Sequence, residues 1–207
     1  MAPNAPKDTH GKLAKEAAKA GVPYIMPNGY AGDIEDEIKR LGMKWISVCC
    51  GFWFDYSLAG GESRFGFDLD NKILTLYDDG NVKNSTSTLA QVGRAVARVL
   101  GLKKLPDDES DNDLTISSFL NRAVYLNRFV SSKKRYEEGM AQVKRGDMSG
   151  FSKLLYTRAF FPEDPSDLSA KAQNELLGLP KEDSDEATKD GIALVEVLKG
   201  RCERMKH

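Results

Sequence analysis

The chain has 207 residues, of which 41% are hydrophobic and 29% are charged, and its formal net charge is -1. This length gives room for one core, or for a core with a helical appendage. The near-zero charge excludes the basic face that a nucleic-acid partner requires. The amino-terminal segment lacks the apolar centre of a signal peptide, and no later stretch is long enough to span a bilayer. We therefore expect a soluble, cytoplasmic protein that binds neither nucleic acid nor membrane.

Metal and disulfide chemistry are not predicted. The two histidines, His10 and His207, lie near the termini and have no ligand spacing around them. Cys49 and Cys50 are adjacent, and neighbouring residues on a strand point to opposite faces, so they are poorly placed to bridge each other. Both are expected to be buried, reduced thiols.

The first third of the chain alternates helical and strand patterns. Thr9 can cap a helix over Lys12–Ala20, and Gly21 has the position of a residue that ends one. A short apolar strand, Tyr24–Met26, follows and stops at a proline. This order of elements is typical of half a βαβ unit.

A second helix and strand repeat the same order. Asp33 can cap a helix over Ile34–Leu41, which closes at Gly42. Trp45–Cys50 is a continuous apolar run, too short for a helix and typical of a strand buried on both faces of a parallel sheet. Two such units in succession favour an α/β architecture.

The middle of the chain predicts a hairpin. Phe65–Leu69 and Lys72–Tyr77 alternate apolar and polar residues around the turn Asp70-Asn71. Thr88 then precedes an amphipathic helix, and Gln91 stands three residues later, which is the spacing of a capping box.

Further strands are predicted at Ile116–Phe119 and Ala123–Val130, after an acidic loop. Beyond Ser132 the pattern is helical, in pieces separated by proline-containing loops. These pieces are Lys133–Lys144, Gly150–Phe160, Ala170–Leu177 and Asp185–Met205.

Together these elements predict an α/β fold: an incomplete doubly wound, Rossmann-like parallel sheet with a helical C-terminal subdomain. We place the α/β core at residues 1–132 and the helical subdomain at residues 133–207.

Two loops follow the carboxyl ends of predicted strands, where open α/β sheets bind ligands. The first, Pro27–Asp33, contains a lone G-x-x-G at Gly29 and Gly32, which is not the glycine-rich fingerprint of dinucleotide binding. The second, Gly51–Leu58, has four aromatics in five positions. Such residues form either the walls of a ligand pocket or a protein core, and composition alone favours the core.

The order of several blocks carries a resemblance to a known family. These blocks are KEAAKAGVPYIMPN, DEIKRLGMKWISVCCGFWFDYSL, GFDLDNKILTLYDDGN, TLAQVGRAVARVL and GDMSGFSKLLYTRAFFP. In this order they resemble the fungal type of the NmrA-like and isoflavone-reductase-like proteins, which are NADP(H)-dependent relatives of the short-chain dehydrogenases. Relative to that family, we expect this chain to lack the N-terminal dinucleotide-binding half, so that it is truncated.

The resemblance implies a cofactor side and a substrate side for the site. Asn28 and Tyr30 take the place of the family motif beside the nicotinamide, and are the expected NADP(H) contacts. Phe52, Trp53 and Tyr56 are the expected contacts of a small aromatic or conjugated substrate. For the aromatic loop, the resemblance raises the pocket interpretation to the level of the core interpretation.

The same comparison assigns no catalytic residue. Tyr56 is followed four residues later by Gly60, so the tyrosine–lysine pair of ordinary short-chain dehydrogenases is absent. Lys39 and Lys44 match the lysine base of the isoflavone reductases poorly. The chain is therefore expected to be an NAD(P)H-dependent oxidoreductase by family, inactive if that base is required.

A non-catalytic, NmrA-type regulatory module is the alternative. It would bind a protein partner on the last helix, where Ile192, Val195 and Leu198 fall on one face. Such a stripe is more often docked core than interface.

Overall fold

The computed structural model describes residues 6, 8–27, 33–68, 70–74, 84–127, 144–146, 156 and 166–204. The chain forms two compact units, one of Met1–Cys49 and Ala95–Tyr125 and the other of Cys50–Arg94 and Leu126–His207. The helices predicted at Lys133–Lys144 and Gly150–Phe160 lie outside the described residues, apart from Lys144 and Tyr156.

The first unit contains a three-stranded parallel sheet. Its strands are β1 (Tyr24–Ile25), β2 (Lys44–Cys49) and β7 (Arg122–Tyr125), in the order β1-β2-β7. Helix α2 (Asp33–Arg40) connects β1 to β2, so that the predicted βαβ unit is present. Three consecutive residues of β2 are only 6%, 5% and 2% exposed, as expected for a strand covered on both faces. These residues are Trp45, Ile46 and Ser47.

The core of this unit lies between the sheet and its helices. Helix α1 (Thr9–Lys19) and α2 pack against each other, and α2 also packs on β2. The buried side chains of this core are Ala14, Ile34, Ile38, Met43 and Trp45.

Both helices end as their glycines predict. Gly21 and Gly42 have φ angles of +73° and +79°, which a residue with a Cβ adopts only with strain. After α1, the N–H groups of Gly21 and Val22 donate to the carbonyls of Ala18 and Ala17, which is a Schellman motif. The predicted start of α1 is wrong: Thr9 is its first helical residue and Asp8 precedes it as the N-cap.

The second unit contains a short parallel strand pair and a short helix that follows its first strand. Strand β3 (Phe52–Trp53) pairs in parallel with β6 (Thr86–Ser87). Helix α3 (Phe54–Ala59) follows β3 directly.

The predicted hairpin is confirmed within the described residues. Strands β4 (Phe67–Asp68) and β5 (Ile73–Leu74) are antiparallel, and the Asp68 carboxylate accepts hydrogen bonds from the backbone and side-chain amides of Asn71 in the turn.

Two longer helices complete the architecture. Helix α4 (Leu89–Leu100) begins after Thr88, whose Oγ1 accepts the backbone N–H of Gln91 at 3.0 Å. Thr88 thus caps α4 as predicted. The side-chain amide of Gln91, which a capping box would direct back to the backbone of Thr88, donates to the Pro180 carbonyl. Helix α5 (Ser184–Arg204) matches the predicted last helix and packs against α3.

Two predicted elements are wrong. Ile116–Phe119 is a 3₁₀ helix rather than a strand, because the Thr115 hydroxyl and carbonyl bond to Ser117 and Ser118 and hold a local turn. Ala170–Leu177 is not an α-helix: a 3₁₀ turn at Ser169–Lys171 ends in extended backbone at Ala172.

The predicted α/β class with parallel strands is confirmed. Among the helices of the described ranges, none has the length and apolarity needed to cross a membrane.

The pairing of β3 with β6 depends on Gly51. Its φ is +62°, and a Cβ there would lie 1.9 Å from the Ser85 carbonyl oxygen, which accepts the N–H of Phe52. We expect Gly51→Ala to lower the unfolding free energy by more than the roughly 1–2 kcal/mol of left-handed strain alone. Gly61→Ala is the matched control, because its φ is +65° and its nearest neighbouring atom is 3.5 Å away. Equal losses for the two variants in urea unfolding would show that the contact with Ser85 is unimportant.

The acidic loop after α4 is organised rather than merely solvated. The Lys103 ammonium lies 2.7 Å from a carboxylate oxygen of Asp107 and 3.5 Å from one of Asp111. The Asp111 carboxylate also accepts the backbone N–H groups of Asp107 and Asp113, and these bonds hold its pKa below the ordinary value.

This arrangement makes the loop sensitive to acid. A carboxyl whose folded pKa is lowered contributes stability above its unfolded pKa of about 4, and loses it as the pH falls through the lower folded value. We expect amide exchange at Asp107 and Asp113 to accelerate below about pH 4 relative to the intrinsic rate. In Asp111→Ala the two amides should exchange rapidly at all pH values. Wild-type protection that stays constant from neutral pH to pH 2 would contradict this origin of the loop.

Candidate functional site

The aromatic loop predicted as a substrate contact divides between two faces. Side chains alternate along a strand, so Phe52 and Trp53 of β3 point in opposite directions. Phe52 stacks on Tyr156 with ring centroids 4.2 Å apart and planes inclined by 14°. Tyr156 in turn meets the edge of Phe65, and its hydroxyl lies 2.8 Å from the Ser57 hydroxyl. Phe52 therefore contributes to a packed aromatic cluster.

Trp53 lies at the surface beside Tyr56. Its side chain is 38% exposed, and its ring meets that of Tyr56 edge to face at 5.7 Å. The Arg64 guanidinium lies 3.7 Å above the Tyr56 ring, in a cation–π contact, and donates to the Tyr56 carbonyl. The Arg64 side chain passes directly over Gly60, where a Cβ would lie 2.0 Å from its Cδ, so this contact requires a glycine.

The structure thus brings two of the predicted substrate contacts together and separates the third. Trp53 and Tyr56 touch each other, whereas Phe52 points to the other side of β3 and packs on Tyr156. Asn28 and Tyr30, the predicted cofactor contacts, lie outside the described residues. The assignment of all five residues to a binding site remains a prediction.

A buried polar strand beside the aromatic pair was not expected from the sequence. Five consecutive polar residues are each at most 6% exposed, which is unusual for such side chains. They are Asn84, Ser85, Thr86, Ser87 and Thr88. Among the described residues, the side-chain Nδ2 of Asn84 and the hydroxyls of Thr86 and Ser87 find no hydrogen-bond partner. The only signal in the sequence is the run NSTST immediately before α4.

A carboxylate links the aromatic loop to the start of α4. The Asp55 carboxylate accepts the N–H of Tyr56 at 2.9 Å, within its own helix, and the N–H of Leu89, where α4 begins, at 3.2 Å. A negative charge at this end of a helix is favourable because the first N–H groups are unpaired and the helix dipole is positive there.

The start of α5 joins the same cluster. The Thr88 hydroxyl donates to Oε1 of Glu182 at 2.6 Å, and Arg94 donates to the same oxygen at 3.0 Å. One residue later, Asp183 Oδ1 accepts the N–H groups of Asp185 and Glu186 in the first turn of α5. Side-chain oxygens therefore accept backbone N–H groups at the N-termini of α3, α4 and α5.

A cavity of about 330 Å³ lies elsewhere in the second unit. Leu58, Phe67, Val195 and Leu198 give it apolar walls. Ile192, predicted to share a helix face with Val195 and Leu198, is 46% exposed.

Cysteine and metal chemistry find little support. Cys49 and Cys50 are both half-buried, and burial is the main cause that raises the pKa of the Cys49 thiol, which disfavours the reactive thiolate. In the part of the chain that the structure describes, no group of His, Cys, Asp and Glu side chains could hold a metal ion.

Truncation of the two aromatic residues should lower the unfolding free energy by different amounts. Phe52→Ala removes one ring of a stacked pair and should lower the unfolding free energy by roughly 2–3 kcal/mol, below the range for a fully buried phenylalanine because Phe52 is partly buried. Trp53→Ala removes a partly exposed ring and should cost clearly less, although the residue is larger. Urea unfolding of the two variants measures the difference. An equal or larger loss for Trp53→Ala would mean that Trp53 is a core residue.

The similarity of this chain to known proteins concerns its fold. No family model and no curated protein matches the sequence. The structure is similar to that of a nucleoside-diphosphate-sugar epimerase from Staphylococcus aureus, with a TM-score of 0.51 and 13% identity, over 84% of this chain and 67% of the epimerase. An NADPH-dependent quinone oxidoreductase from Escherichia coli, solved with NADPH, gives a TM-score of 0.45 and 16% identity, over 89% of this chain and 70% of that protein. The second score is too low to support a shared fold, whereas the similarity to the epimerase supports the predicted Rossmann-like α/β fold.

Proposed function

We propose that this chain binds a small planar aromatic or conjugated molecule on Trp53, as a member of the NmrA-like, isoflavone-reductase-like oxidoreductases. The observation that carries the proposal is the partly exposed Trp53 ring set against Tyr56, where strand β3 passes directly into helix α3. The Rossmann-like fold and the ordered sequence blocks support the family assignment.

The chemistry of the aromatic pair suits such a ligand. A planar ring that stacks on Trp53 covers apolar surface and gains the favourable offset geometry of an aromatic pair. The Tyr56 hydroxyl makes no hydrogen bond within the described residues, so it is available to a carbonyl or hydroxyl oxygen of the ligand. The Arg64 guanidinium packs over the Tyr56 ring and helps to fix its orientation.

NADP(H) is the cofactor that the family assignment implies, and when bound it would supply a hydride. The helix starts of the second unit do not fit its pyrophosphate, since Asp55 and Asp183 already place carboxylates at the N-termini of α3, α4 and α5. A pyrophosphate there would meet like charge. Asn28 and Tyr30 remain the proposed contacts on the nicotinamide side, and we derive no catalytic step from them.

The same carboxylates favour a second candidate function, a non-catalytic regulatory module. Such a module needs neither a cofactor nor a catalytic base. Its partner would be a protein that contacts α5 on the side of Ile192, which is 46% exposed.

Isothermal titration calorimetry with an aromatic ketone tests the proposed binding site. We expect the full chain to bind the planar ketone fluorenone, and Trp53→Ala to lose this binding while it stays folded. Leu176→Ala, which removes a side chain that is 54% exposed, is the matched control and should bind normally. If wild type and Trp53→Ala bind alike, or if neither binds, the site assignment is wrong.

Titration with NADPH and NADP⁺ separates the two functions. Binding of either form would support the oxidoreductase, whereas fluorenone binding with no response to either form would favour the regulatory module.

A further inference from the structure

The cavity of about 330 Å³ in the second unit is separate from the aromatic pair. Its described lining residues come from the end of α3, from the β4–β5 hairpin and from α5, and they include neither Trp53 nor Tyr56. Small-molecule sites in proteins have volumes of about 300–1,000 Å³. The cavity therefore has room for a compact ligand that the proposed function does not use.

Close helix packing at one point leaves the cavity open further along α5. Helix α5 lies directly on α3 at Gly191, where a Cβ would be 2.8 Å from Cδ2 of Leu58. About one and two turns later, Val195 and Leu198 line the cavity. Gly61 also lines it and has no side chain to fill the space, since a Cβ there would have its nearest neighbouring atom 3.5 Å away. The packing of α3 and α5 thus defines the volume without closing it.

The walls of the cavity are apolar. They are formed by Leu58, Phe67, Val195 and Leu198, of which Leu58 is only 3% exposed. An apolar cavity of about 150 Å³ holds one benzene ring, so this one accepts an aliphatic skeleton of about ten carbon atoms. The transfer of such a skeleton from water is favourable in proportion to the apolar area that it covers.

The ionisable part of the lining is acidic. Its described members are Glu62, Asp68 and Asp70, with no lysine or arginine among them, and Glu62 and Asp70 are exposed at the rim. The Asp68 carboxylate accepts the backbone and side-chain amides of Asn71, which are neutral. A carboxylate has about four acceptor positions, so it can accept a further donor while these bonds remain. An ammonium group at this rim is attracted, whereas a carboxylate is repelled.

We propose that this cavity binds a compact aliphatic molecule with one protonated amine. Its carbon skeleton lies against the apolar walls, and its ammonium group lies among the three carboxylates. This ligand differs from the planar molecule proposed for Trp53, because a rounded aliphatic skeleton has no flat face to stack on an aromatic ring.

Three adamantanes with one skeleton and different bridgehead groups test the ligand class by isothermal titration calorimetry. Adamantanamine is positively charged at neutral pH, adamantanol is neutral and adamantanecarboxylate is negative. We expect the amine to bind roughly tenfold more tightly than the alcohol, as for two or three exposed ion pairs, and the carboxylate to bind more weakly than both. The advantage of the amine over the alcohol should shrink in high salt.

Two tryptophan variants of α5 test the location. Leu198→Trp should fill the cavity and abolish binding of adamantanamine. Val197→Trp is the matched control, because Val197 is 49% exposed and is not among the described lining residues. Should Leu198→Trp fail to fold, amide chemical shifts of the wild type decide the location: the amine should move the signals of Gly61 and Val195 and leave that of Trp53 unchanged.

A pair of glutamate variants tests the role of the rim. Glu62→Gln should weaken adamantanamine about two- to fivefold and leave adamantanol unchanged, since one exposed ion pair is lost. Glu196→Gln removes an exposed carboxylate of α5 that is not among the described lining residues, and it should change neither affinity.

The outcomes separate this site from the one on Trp53. The cavity assignment is wrong if the wild type binds none of the three adamantanes, or if folded Leu198→Trp binds the amine as the wild type does. The ligand class is wrong if the alcohol or the carboxylate binds as tightly as the amine, or if Glu62→Gln leaves the amine affinity unchanged. Trp53→Ala should bind the amine normally. Its failure to do so would place the amine on Trp53 and overturn the cavity site, whereas a failure of fluorenone binding alone would overturn only the proposed function.

Discussion

The second unit is organised by side-chain oxygens at the N-termini of three helices. The first N–H groups of α3, α4 and α5 have no partner within their own helix, and each helix start carries a partial positive charge. Asp55 serves the first two helices, and Asp183 serves the third. Thr88 and Glu182 join the starts of α4 and α5 through a hydrogen bond of 2.6 Å. Because these groups satisfy one another, helices from distant parts of the sequence begin at one place.

This constraint positions the candidate site. Asp55 lies between Trp53 and Tyr56 in the chain, so the bond from Leu89 fixes the aromatic loop to the end of β6. The pairing of β3 with β6 then decides which aromatic ring is inside. Phe52 meets Tyr156, and Trp53 stays partly exposed. Strand register and helix capping together therefore determine that Trp53 lies on the exposed side of β3.

Local signals predict the first unit well. Gly21 and Gly42 end helices through their positive φ angles, and the run from Trp45 forms a strand buried on both faces, since both features depend on residues within a few positions. Ile116–Phe119 misled the prediction because its apolar ends suggest a strand, whereas the neighbouring hydroxyls of Thr115 and Ser117 stabilise a turn.

The candidate site depends on contacts that no local pattern contains. Tyr156, more than a hundred residues later in the chain, covers Phe52 and leaves Trp53 the more exposed ring, whereas composition treats the two rings alike. Glu182 lies 94 positions from Thr88, so the sequence shows the cap but not the carboxylate beyond it. Polar residues such as Ser87 are expected at the surface, and only the tertiary structure shows that they are buried.

Amide hydrogen exchange at Leu89 is the most direct test of the shared helix start. Its N–H donates to Asp55, whereas the N–H of Gln91, two residues later, donates to Thr88. In Asp55→Ala we expect Leu89 to exchange at least about tenfold faster, as for a lost charge-assisted hydrogen bond, while Gln91 keeps its protection. Asp55 and Asp190 line one shallow cleft, and Asp190 is exposed; Asp190→Ala is the control and should leave both rates unchanged. Unchanged exchange at Leu89 in Asp55→Ala would contradict the role of Asp55 in fixing the aromatic loop to α4.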